Sequence, residues 1–123
     1  MIRVGIDIVD IARLERALAR WPRMAERVFT PGERSYAEGR SRPSQHLAAR
    51  FAAKEATFKA LGEGWPRLSW HEVEVVSEGR QPRLRLSGKA RELAGTASAS
   101  VSLAHDAGIA LAQVVLEEVE GPG

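Results

Sequence analysis

From Met1 to Val9 apolar residues alternate with polar or small ones: Ile2, Val4, Ile6 and Ile8 point one way, Arg3, Gly5 and Asp7 the other. A period of two predicts a strand with one buried face, and the aliphatic side is the one expected to be covered. Asp7 then leaves the sheet on the opposite face, near the strand's end. At Asp10, a residue suited to cap a helix, the period changes. Ile11, Leu14, Leu18 and Trp21 form one side of a helix that Pro22 breaks. Thr30-Pro31-Gly32-Glu33 has the form of a capping box with proline at the first helical position. It predicts a short helix through Tyr36 and Ala37, ending near Gly39. A polar connector over 40–43 leads to Ser44, read as the cap of the longest helix, which Gly62 and Gly64 terminate.

Along that long helix, Leu47, Phe51, Phe58 and Leu61 make one apolar stripe at ~100° per residue. Lys54 lies on the same stripe, between Phe51 and Phe58. Glu55 sits at its flank, with Lys59 one turn further on. Burying lone charges is costly, so these ions need partners: other protein charges, a metal ion or an anionic ligand.

Beyond the Gly-Glu-Gly-Trp-Pro turn, Val73 and Val75 alternate in one strand and Leu84 and Leu86 in another, with a hairpin loop over 78–82 between them. Ser87 opens a short helix through Leu93 that Gly95 ends. Val101 and Leu103 alternate with Ser100 and Ser102, residues 105–108 turn, and Ile109 to Leu116 runs back as an apolar strand. Residues 117–123 read as a frayed tail. These elements predict an α+β fold, a small antiparallel sheet packed on one long and several short helices, with residues 1–123 as one domain.

A hydrophobic fraction of 44% and a charged fraction of 28% are those of an ordinary globular chain. No run approaches the ~18 apolar residues of a membrane span, and the N-terminus lacks a secretory pattern, so the cytoplasm is the expected location. Without cysteine, disulfides and thiolate chemistry are excluded. A net charge of +2 implies no general attraction to nucleic acid or membrane. Placement of the arginines matters more. Arg13, Arg16 and Arg20 share the helix face opposite Ile11 and Leu18, and Arg23 and Arg27 continue the spacing past Pro22. An arginine face without interleaved acids is either solvated or a dock for an anionic partner.

His46, His71 and His105 lack the spacing of a zinc site, and no glycine-rich phosphate loop is present. What remains is a pair of carboxylates, Asp7 at a strand end and Glu55 on a helix, with cations nearby. Hard oxygen ligands suit magnesium, which takes one or two carboxylates and completes its shell with water and phosphate oxygens. Arg50, Lys54 and Lys59 would then face those phosphates. The same spacing also fits a plain Glu55–Lys59 surface pair. His105, just before a turn, is open to either a turn or a ligand-contact role.

Gly5-Ile6-Asp7-Ile8-Val9 leading into the helix with Arg13, Phe29-Thr30-Pro31-Gly32-Glu33, Arg50-Phe51-Ala52-Ala53-Lys54-Glu55-Ala56 followed by Lys59-Ala60, and Ser102-Leu103-Ala104-His105 occur in this order over nearly the whole chain. Together they resemble the holo-acyl-carrier-protein synthases, the short single-unit branch of the phosphopantetheinyl transferase superfamily. The resemblance implies transfer of the phosphopantetheine arm of coenzyme A to a serine of an apo acyl carrier protein, with release of adenosine 3',5'-bisphosphate. It implies that Asp7 and Glu55 hold a magnesium ion and, with Lys59, carry the chemistry. Arg50, Lys54, Lys59, Gly62 and His105 would contact the coenzyme, and Arg13, Arg20 and Arg23 the acidic helix of the carrier. A homotrimer with active sites across subunit interfaces is expected. The implied pathway is fatty-acid synthesis, with a polyketide or other specialised carrier as the alternative. The chain departs from the family's pattern at Ala104, where a hydroxyl residue is usual, at Ser100, where histidine is frequent, and at Glu63, within a usual Gly-Thr-Gly. The reading from a different class is a non-catalytic basic module that binds an acidic protein or nucleic acid through the arginine face.

Overall fold

The computed structural model describes residues 1–79 and 81–118, with the backbone alone at Glu78. Strand β1 (Ile2–Asp10) runs directly into helix α1 (Ile11–Arg20), whose N-terminus is capped by Asp10 accepting from the Arg13 amide at 3.0 Å. Short helices α2 (Met24–Val28) and α3 (Pro31–Glu38) follow, then α4 (Pro43–Leu61). A 3-10 turn over Trp70–Glu72 precedes the hairpin β2 (Val73–Glu78) and β3 (Gln81–Leu86). Helix α5 (Gly88–Ala94) and the strands β4 (Ser98–Asp106) and β5 (Ile109–Glu117) complete the order.

The strands form two antiparallel sheets, β1-β5-β4 and β2-β3. The α+β architecture expected from the sequence is therefore present, divided between two small sheets. Thr30 and Glu33 make both halves of the expected capping box, and Gly62 ends α4 in the left-handed conformation that an L side chain resists. The cap of α4 is Arg42, not the expected Ser44, because Pro43 occupies the first helical position, where its fixed φ is already helical. The expected frayed tail lies largely outside the described residues.

The covered face of β1 is the reverse of the one expected. Ile2, Val4, Ile6 and Ile8 are 52–63% exposed, while Gly5 is buried and Arg3, Asp7 and Val9 are half-buried. The cause is α4, which crosses this side of the three-stranded sheet. A Cβ placed on Gly5 would stand 1.7 Å from the Ala56 carbonyl oxygen, so only glycine lets the helix backbone come so close. Ala110, Ala112, Val114 and Leu116 of β5 line the same inner face and are fully buried, against Ala48, Ala52, Ala53 and Ala56 of α4. On its other side α4 packs Phe51 and Phe58 on Trp70, with ring centroids 5.3 and 5.2 Å apart. Buried on nearly every side, α4 is the core of the molecule and the frame of its charged residues.

Candidate active site

At the β1 edge of the sheet, Asp7 projects from the inner face toward the second half of α4. Lys59 donates to Asp7 Oδ1 at 3.0 Å and to the Ile6 carbonyl at 2.9 Å. Glu55, one turn earlier on the same helix, faces the same place. Burial raises its proton affinity above the ordinary glutamate range and the charge of Asp7 raises it further, with Lys59 acting in the opposite sense. The expected Asp7, Glu55 and Lys59 thus come together from elements more than forty residues apart in the chain. Among the described residues the ion pair of Lys59 is with Asp7 rather than the i, i+4 surface pair with Glu55. Glu55, Lys59 and Gly62 line a cleft of about 510 Å³ whose other wall is aromatic: Phe58, Trp65 and Trp70.

At the opposite edge of the sheet, β4, a second group assembles around the first half of α4. Arg50 is 3% exposed, lies 4.1 Å over the Tyr36 ring, and donates to the His46 carbonyl at 3.2 Å and to Ser77 Oγ at 2.6 Å. Arg50 lines a cleft of about 650 Å³ with Ser102 and His105. The Nε2 atoms of His105 and Gln45 are 2.8 Å apart. The register places Asp7 opposite Ala112 and His105 opposite Ala110, both on the inner face, with β5 between their strands. At ~4.8 Å per strand, Asp7 and His105 are roughly 10 Å apart across the sheet, and α4 lies between them. Of the residues expected to contact a coenzyme, Lys59 and Gly62 line one cleft and Arg50 and His105 the other.

Lys54 joins neither. It is fully buried, and its ammonium pairs with Glu33 Oε1 at 2.8 Å and donates to the carbonyls of Trp70 and Val73. Burial lowers its pKa from the ordinary lysine value, opposed by the Glu33 charge and hydrogen bond. The expected coenzyme contact at Lys54 is corrected: all three of its N–H donors are spent inside the protein. Glu33, its counter-ion, was legible only as a capping-box residue. The available signal was a charge balance, since a lysine on a buried stripe requires an acid from another element. Trp70, the hub of the aromatic wall, carried no separate mark.

Arg13, Arg16, Arg20, Arg23 and Arg27 are all exposed, and among the described residues none pairs with a carboxylate within 4.0 Å. Arg23 and Arg27 border a depression with Trp21 and Met24, so the arginine face has an apolar floor at its far end.

Residues 3–113 match the profile of the 4'-phosphopantetheinyl transferase superfamily, and the chain belongs to that superfamily. Within it, the chain is 49% identical over 121 residues to the holo-[acyl-carrier-protein] synthase of Moorella thermoacetica, covering 95% of this chain and 94% of that one. It is 51% identical over 121 residues to the synthase of Geobacter metallireducens, covering 94% and 96%. The fold is similar to that of the Chronobacterium ammoniagenes ACPS-CoA complex, with a TM-score of 0.86, 31% identity and coverage of 98% and 99%. It is also similar to the Helicobacter pylori holo-[acyl-carrier-protein] synthase in complex with coenzyme A, with a TM-score of 0.82, 34% identity and coverage of 93% and 99%.

Proposed function

We propose that the protein transfers the phosphopantetheine arm of coenzyme A to a serine of an apo acyl carrier protein. The observation that carries this reading is the meeting of Asp7 with Lys59 beside Glu55, in a chain about half identical to named synthases. The serine oxygen attacks the β-phosphorus of the pyrophosphate. The bond from that phosphorus to the bridging oxygen breaks, and adenosine 3',5'-bisphosphate leaves.

The donor set fits magnesium. The charge of Asp7 adds to the cost of ionising Glu55, and a hard cation beside the two carboxylates would relieve it. When bound there, magnesium supplies charge neutralisation and polarisation of phosphoryl oxygens. The chain's own residues do the rest. Lys59 spends two N–H donors on Ile6 and Asp7, which leaves the third for a phosphate oxygen. The serine proton has Asp7 and Glu55 as its acceptors in the cleft. Gly62, with φ of 78°, keeps the mouth of the cleft free of a side chain. Arg50 and His105, which line one cleft, serve the coenzyme from the other edge of the sheet.

Because the two clefts lie on opposite edges of one sheet, a complete site is built when the β1 edge of one copy meets the β4 edge of the next, in a homotrimer. Arg13, Arg20 and Arg23 dock the acidic helix of the carrier. The reaction belongs in the cytoplasm, where coenzyme A and carrier meet, and in fatty-acid synthesis. The test is incubation with coenzyme A, magnesium chloride and an apo carrier, followed by intact mass of the carrier. A gain equal to phosphopantetheine is expected. No gain across fatty-acid and polyketide carriers overturns the reading.

A further inference from the structure

Helix α4 carries two adjacent charges in opposite settings. Glu55 opens on the cleft, and Lys54 points into the protein. The Lys54 ammonium is held by acceptors from three places: Glu33 of α3, the Trp70 carbonyl in the 3-10 turn, and the Val73 carbonyl at the start of β2. Glu33 is equally occupied, accepting from the Thr30 amide at 2.9 Å through Oε1 and from the Val75 amide at 2.8 Å through Oε2. Thr30 extends the network to Glu74, donating at 2.6 Å. One polar network therefore ties the start of α3, the hairpin and the middle of α4. From the other side β1 presses on α4 at Gly5, without room for a Cβ.

We propose that the buried Lys54–Glu33 pair is a positioning device for the site, holding the rotation of α4 so that Glu55 stays aimed at Asp7. This rests on the reading of Asp7 and Glu55 as the magnesium pair. Successive side chains on a helix point ~100° apart, so a fixed Lys54 sets the direction of Glu55. Two like charges across a cleft repel when no cation lies between them, and rotation of α4 is the route by which they would separate. A buried ion pair adds little stability over a well-packed apolar replacement, but its fixed acceptors admit one helix rotation where an apolar contact repacks.

The double variant Glu33→Gln/Lys54→Met removes both charges and avoids the lone buried ion that either single change leaves. Manganese serves as the cation probe, because its paramagnetism reports binding without turnover. The double variant is expected to unfold cooperatively and to bind Mn²⁺ about tenfold more weakly. Its magnesium half-saturation for transfer rises in step, with an unchanged KM for carrier. Unchanged Mn²⁺ affinity in the folded variant overturns the positioning role and leaves the metal reading standing. An unmodified protein that binds no Mn²⁺ overturns the metal reading and this inference with it. If the double variant does not fold, Glu33→Asp keeps both charges and draws the carboxylate back by one methylene. The same loss of Mn²⁺ affinity is expected there, and its absence again overturns the role.

Discussion

At Glu55 three influences meet: partial burial, the charge of Asp7 and the opposing charge of Lys59. The first two raise the cost of ionising Glu55, a cost that magnesium would relieve under the proposed function. Glu55→Gln keeps the shape and removes the charge. It should lower kcat/KM by at least ~100-fold and remove the magnesium dependence of coenzyme binding. The melting temperature should hold or rise, since a repelled carboxylate is gone. Full activity at saturating magnesium would count against the carboxylate pair. Gly5 makes the complementary case, a residue with no chemistry that the site depends on. Gly5→Ala puts a methyl carbon where the Ala56 carbonyl oxygen already stands. Either β1 or α4 must move, and about 3 kcal/mol of stability should be lost in urea unfolding. A loss below about 0.5 kcal/mol would mean that the strand and helix are less tightly apposed than the structure has them.

At the scale of elements, α1 presents two unlike faces. Leu14 is buried, while Arg13, Arg16 and Arg20 project into solvent. Reversing Arg13 and Arg20 together to glutamate should raise the KM for carrier by about tenfold or more, leave coenzyme affinity alone, and leave stability nearly unchanged. An unchanged KM returns this face to solvent. The same helix shows what local pattern can tell: a cap at Asp10, a stripe and a break at Pro22 are all written within one short stretch. The capping box at Thr30 and the end of α4 at Gly62 are legible for the same reason. The charges of Asp7, Glu55 and Lys59 stood out locally, but their spacing equally fitted a Glu55–Lys59 surface pair, and only the crossing of α4 on β1 shows that Lys59 pairs with Asp7. Three features were not legible. Alternation along β1 reveals its period but not which side is covered, and Gly5 wins that choice because a helix backbone lies against it. The large apolar residues of α4 mark its Trp70 side, whereas alanines, which carry no strong pattern, mark the sheet side. Lys54 looked like a ligand contact because its partner, Glu33, comes from a helix whose own cap already accounted for it.

For the whole molecule, the reversed face of β1 is the consequence that reaches furthest. Ile2, Val4, Ile6 and Ile8 stand 52–63% exposed in a row, next to Leu111 and Val115 of β5, which the register places opposite Ile8 and Val4. A contiguous aliphatic sheet face of this kind is rare on a monomer, and in the proposed homotrimer it is the face a second copy would cover. Covering each side chain would contribute roughly 1–2 kcal/mol, enough in sum to drive assembly. The same strand carries Asp7 on its other face and lends the Ile6 carbonyl to Lys59, so the proposed interface and the candidate site would share one element. Asp7 and His105 lie at opposite edges of the sheet, and in the proposed homotrimer a neighbouring copy would bring the two edges together. Light scattering of the unmodified protein should therefore give three times the 13.4 kDa chain mass. Ile6→Lys/Ile8→Lys, which places charges on the exposed face and leaves the inner face untouched, should give the mass of one chain with unchanged far-ultraviolet circular dichroism. Transfer should fall by at least tenfold, and mixing with an Asp7→Asn protein should not restore it, because the charged chains no longer associate. A monomeric unmodified protein that transfers at full rate would show that one chain completes the site alone.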